Sequence, residues 1–86
     1  MANILSIKKD LKERVKSRRK EAKISQSELA GRSGVSFASI RRFETNGEIS
    51  FSSLLKIAMV LGYENDFNQL FERKNYQSID EIIGEK

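Results

Sequence analysis

Ile24-Ser25-Gln26-Ser27-Glu28-Leu29-Ala30-Gly31-Arg32-Ser33-Gly34-Val35-Ser36-Phe37-Ala38-Ser39-Ile40-Arg41-Arg42-Phe43-Glu44 lies in the middle of a chain of 86 residues. This stretch reads as two short helices around a glycine. Ser25 and, three residues on, Glu28 form a capping box, which satisfies two orphan N–H groups and predicts a helix over about 26–33. Gly34 follows as a left-handed turn residue, where a Cβ would clash. Ser36 is an N-cap for a helix of about 37–45, and Asn46-Gly47 is the turn that ends it. Leu29 is expected in the core. Ala30 is small enough to let the two helices cross closely, and Val35 and Ile40 are apolar and placed to lock them together.

Outward from this stretch, the chain reads as helix on both sides. Ile7, Leu11, Val15 and Ala22 recur at helical spacing and predict an amphipathic helix over about 6–22. Ser50 can cap a fourth helix of about 51–61, nearly apolar all round and expected to be the most buried. Gly62 stops it. A fifth helix of about 65–72 presents Phe67, Leu70 and Phe71. A short helix is expected after Ser78, bearing Ile79, Ile82 and Ile83. The fold class is therefore all-α: a helix-turn-helix unit in one small domain, 1–72, with a C-terminal extension, 73–86.

Composition narrows the chemistry. The chain has no cysteine and no histidine, so the usual thiolate and imidazole ligands are missing, and with them the commonest general base. A Ser-His-Asp site, a zinc site or a haem site cannot be built from the usual parts. No metal, no cofactor and no small-molecule substrate are expected. No apolar run is long enough to span a membrane, and the start lacks a signal peptide's hydrophobic stretch. A cytoplasmic location is the default expectation. Net charge is +4, but it is unevenly spread. Lys8, Lys9, Lys12, Arg14, Lys16, Arg18, Arg19, Lys20 and Lys23 outweigh the acids of the first 23 residues, whereas residues 44–86 are acidic. That asymmetry suits a polyanion on one side, and equally a solvated basic helix.

The third helix has two faces. At 100° per residue, Ser36, Ser39, Ile40 and Phe43 gather on one side and Ala38, Arg41, Arg42 and Thr45 on the other, with Phe37 at the border. The first set is expected to face the bundle.

The stretch 24–44, extended through Leu54–Gly62 and back through Arg19, resembles the lambda-repressor-like, Cro/XRE family of DNA-binding domains. The resemblance covers about two-thirds of the chain. It implies a five-helix lambda-repressor-like domain that binds double-stranded DNA in the major groove, usually as a homodimeric transcriptional repressor on palindromic operators. Arg41 and Arg42 are then the candidates for a bidentate pair with guanine. Which one reads a base and which holds a phosphate stays open. Phe37 packs on a thymine methyl or extends the core. Ser36 donates to DNA or only caps its helix. Ala38 touches a methyl group or leaves room. The resemblance also implies a phosphate contact from Gln26 at a helix N-terminus, a second from Asn46, with Thr45 beside it, and an ion pair between Arg19 and Glu44 that aims Arg19 at the backbone. The loop 45–49 departs from the family pattern: Ile49 stands where a proline is frequent.

Two half-sites about one helical turn (~34 Å) apart need two recognition helices, so a homodimer is expected. Its expected surface is Phe67, Leu70, Phe71, Tyr76 and Ile82. The tail 70–81 is loosely similar to those of HipB-type antitoxins, which makes an autorepressing antitoxin with a toxin partner the alternative reading. A helical protein-interaction module is a third. Enzymatic activity is not expected, because the carboxylates are scattered and no nucleophile has a base at a suggestive spacing.

Overall fold

Five α-helices form among the residues that the structure, a computed structural model, describes (3–74): α1 (Ile4–Glu21), α2 (Gln26–Ser33), α3 (Phe37–Asn46), α4 (Phe51–Leu61) and α5 (Glu64–Asn68). Each of the first four starts at a polar cap. The Asn3 side chain accepts from the Ser6 N–H at 2.8 Å, and the Ser6 hydroxyl accepts from the Asn3 N–H in return. Ser25 and Glu28 make the same reciprocal pair. Ser36 and Ser50 accept from the N–H groups of Ser39 and Ser53. Three helices end on a glycine with φ > 0, Gly34 after α2 and Gly47 after α3 at +79° and Gly62 after α4 at +85°, a region that costs other L-residues about 1–2 kcal/mol.

The core lies where α2, α3 and α4 meet. Ile24, Leu29, Val35, Ile40 and Ile57 form one buried cluster, with Val15, Ala30, Ile49, Val60 and Leu61 packed against it. Leu29, Ile40, Phe43 and Ile57 are essentially sealed from water. α1 packs on α3, α2 on both α3 and α4, and α5 on α4. The Phe51 and Phe67 rings meet edge to face at 6.0 Å, fixing α5 against the start of α4.

Three expectations change. The apolar spacing of Ile7, Leu11, Val15 and Ala22 predicts one inward face on α1, yet Leu11 and Val15 are only half-buried, Ile7 and Ala22 are exposed, and the one buried residue of α1 is Arg19. The reason is the space they face: Ile7, Leu11 and Val15 line an open trough between α1, α4 and α5, so this face of α1 is not sealed by its neighbours. α4 buries Leu54, Ile57 and Ala58 but leaves Phe51 and Met59 exposed, so it is no more deeply set than α3. α5 stops at Asn68 rather than 72. It lacks a side-chain cap, and so short a helix holds only through packing. The chain then turns through Phe71 at φ +62°. The short helix expected after Ser78 lies outside the described residues. Among them, no helix is long and apolar enough to cross a membrane.

Candidate nucleic-acid interface

α3 is held by its inner side. Ile40, Phe43 and Glu44 are buried, which turns the opposite side to solvent. Phe37, Ala38, Arg41, Arg42, Thr45 and Asn46 are all exposed and line one shallow open depression. Phe37 stands 44% exposed among them, so it does not extend the core. Ser36 is exposed as well, with its hydroxyl bonded to Ser39. Two arginines and an aromatic ring therefore share one outward strip of a helix whose other side is fixed.

The hydrogen bonds already made decide what each polar group has left. Thr45 Oγ1 donates to the Arg41 carbonyl at 2.8 Å. Its only proton is thus spent on the helix, and a phosphate, which needs donors, would have to displace that bond. Asn46 Oδ1 accepts from the Glu48 N–H at 2.9 Å, which leaves its Nδ2 protons directed elsewhere and able to donate. Gln26 Nε2 donates one proton to Glu44 Oε1 at 2.9 Å and keeps the second.

Arg19 is placed differently from the phosphate contact expected of it. Its Nε and Nη2 donate to the two Glu44 oxygens at 2.7 and 2.9 Å, and its Nη1 to the Ile24 carbonyl at 2.9 Å. The side chain is 9% exposed and that of Glu44 3%. Three of its five N–H groups are engaged, one on each guanidinium nitrogen, so Arg19 orients α3; Nη1 and Nη2 each keep one further proton. A bidentate pair of this kind fixes geometry as well as charge. Burial pushes the Glu44 carboxyl up. The hydrogen bonds from Arg19 and Gln26, with the positive charges of Arg19 and Lys16, outweigh that and hold it below its ordinary value.

A family model described as helix-turn-helix matches residues 15–65, more than half of the chain. The chain belongs to the Cro/C1-type helix-turn-helix (XRE) family. No curated protein and no solved structure gives a match. Membership makes this helix-turn-helix protein a sequence-specific DNA-binding regulator of transcription in general terms, in a family that is typically non-enzymatic. The matched span holds the α2–turn–α3 unit, the Arg19–Glu44 pair and the outward strip of α3.

Two features of this region were not read from the sequence. Glu44 serves Arg19 and Gln26 at once, so one carboxylate ties α1, α2 and α3 together. Lys8 Nζ reaches Glu48 at 2.6 Å, joining α1 to the loop after α3. Neither pairing leaves a local pattern, because the partners are 18 and 40 residues apart. Of the residues expected at a dimer surface, Phe67 is half-buried, Leu70 is exposed and Phe71 is 95% exposed, while Tyr76 and Ile82 lie outside the described residues. So does most of the tail that resembles HipB-type antitoxins.

Proposed function

We propose that this protein is a repressor that binds a palindromic DNA operator as a homodimer, with α3 of each subunit in the major groove. Arg41 and Arg42 face the duplex, one reading guanine through O6 and N7 and the other holding a phosphate. Phe37 and Ala38 meet the thymine methyl groups or sugars beside them, and Ser36 lies at the leading end of the helix. Gln26 and Asn46 donate their remaining amide protons to phosphates on either side. Thr45 contributes only if its bond to Arg41 gives way. The observation that carries this reading is the outward strip of α3, exposed along its length on a helix whose inner side is sealed. The exposed Phe71 supports a contact with a second copy.

The test is selection of bound duplexes from a random pool, run in parallel on the parent, Arg41→Ala and Arg42→Ala. Loss of the base-reading arginine is expected to relax preference at one position, at a cost of about 1–3 kcal/mol there. Loss of the phosphate-holding one weakens all sequences alike and reduces the salt slope by about 1. Unchanged selection and affinity in both variants would remove α3 from the interface.

A further inference from the structure

An apolar trough of about 430 Å³ runs between α1, α4 and α5. Leu11 and Val15 line it from α1, Leu54 and Leu61 from α4, Phe67 from α5, and Leu70 just beyond. None of the residues on the outward strip of α3 lines it. The trough is open to solvent, so its apolar lining faces water, and an apolar segment laid in it would remove that surface from water. Its edges are polar. Arg14 and Arg18 line it on the α1 side and Asp66 on the α5 side. Arg18 bonds Glu21 at 2.8 Å, but its Nε is buried without a hydrogen-bond partner among the described residues. Arg14 makes no ion pair among those residues.

The same chain carries a piece of matching chemistry. Residues 78–85 read Ser-Ile-Asp-Glu-Ile-Ile-Gly-Glu. The isoleucines at 79, 82 and 83 have the i, i+3, i+4 spacing of one helix face. Asp80, Glu81 and Glu85 supply negative charge with no basic residue between them, opposite in sign to the arginine edge. Reach is not limiting. Leu70 already lines the trough, and the residues from there to Ile79 extend up to about 30 Å.

We propose that residues 78–85 of this chain seat Ile79, Ile82 and Ile83 in the trough between its own α1, α4 and α5, with their carboxylates toward Arg14 and Arg18. The segment completes the core from outside, as a removable sixth element. Ile82 then belongs to the subunit's own packing, and Phe71 remains as the apolar group for a second copy. Nothing in this proposal depends on which nucleic-acid contacts α3 makes.

The chain has no cysteine, so a disulfide can report the contact. Full-length Leu11→Cys/Ile82→Cys is oxidised at high dilution beside Ser52→Cys/Ile82→Cys, whose first site is exposed and does not line the trough. An intrachain disulfide formed at least about ten-fold faster in the first pair is the expected result. Equal rates in the two pairs overturn the proposal. An interchain disulfide also overturns it, because it gives the trough to the segment of a second copy. A variant that leaves the trough untouched guards against misfolding of the cysteine pair. In full-length Ile79→Asp/Ile82→Asp, the backbone amide resonances of Leu11, Val15 and Leu61 are expected to move relative to the parent, by the same amount at every protein concentration. Resonances that stay in place, or that move only at high concentration, overturn it.

Discussion

Glu44 shows how much one side chain decides here. Its carboxylate takes three hydrogen bonds from two residues and sits where water cannot replace them. Glu44→Gln leaves the Arg19 guanidinium buried without its counter-charge, and is expected to lower unfolding free energy by about 3 kcal/mol in urea titrations. The pH dependence follows from the same contacts. A carboxyl held below its ordinary value contributes stability above the unfolded-state value and loses it as pH falls through the folded-state value. From about pH 6 to about pH 3, the parent is therefore expected to lose more thermal stability than Glu44→Gln. Scanning calorimetry of both proteins across that range checks the sign. An equal loss would mean that Glu44 does not titrate with folding. The Arg19–Glu44 partnership could be anticipated only from resemblance, since no local rule links positions 25 apart. Its burial, and the share taken by Gln26, follow from how three helices converge, and a linear reading does not contain that.

At the scale of elements, the caps were the most legible part of the chain. Ser25 with Glu28, Ser36, Ser50 and Gly34 each act within four residues of their own position, so local chemistry was enough to place them. Other ends were less legible: α5 lacks a cap and ends four residues early, the Asn3–Ser6 capping box starts α1 two residues before the apolar spacing suggests, and that spacing said nothing about which neighbours would cover its face. Gly34 and Gly47 separate two kinds of constraint. Both have φ +79°, but a Cβ at Gly34 meets nothing within 4 Å, whereas at Gly47 it would lie 3.0 Å from Lys8 Cβ and 3.2 Å from the Lys8 carbonyl oxygen. Gly34→Ala is expected to cost about 1–2 kcal/mol from the backbone alone. Gly47→Ala is expected to cost measurably more, because α1 must also shift. Paired denaturation curves check the difference, and equal losses would show that α1 gives way freely at Lys8.

For the whole molecule, charge and the proposed pairing of two copies set what can be tested. Lys20 and Lys23 are exposed at the end of α1, a few residues before Gln26. If the duplex lies across this end, Lys20→Gln with Lys23→Gln is expected to flatten the dependence of log affinity on log salt by up to about 2, with little change in sequence preference. Fluorescence anisotropy over a salt series reads that slope, and an unchanged one would place the duplex away from α1. Phe71→Asp is expected to leave the fold intact and weaken binding to a duplex with two half-sites by about ten-fold or more, through loss of a subunit contact. Sedimentation of the protein alone and with that duplex separates this from a local defect. The split of α3 into a sealed inner side and an open outer one also bears on how such a chain can change over time. The side chains at 37, 38, 41 and 42 are exposed and outside the sealed core, so they can be exchanged as a set while the scaffold beneath stays put. If α3 reads the duplex as proposed, a descendant, or a laboratory library varied at those four sites, can acquire a new address on the genome without having to solve the folding problem again.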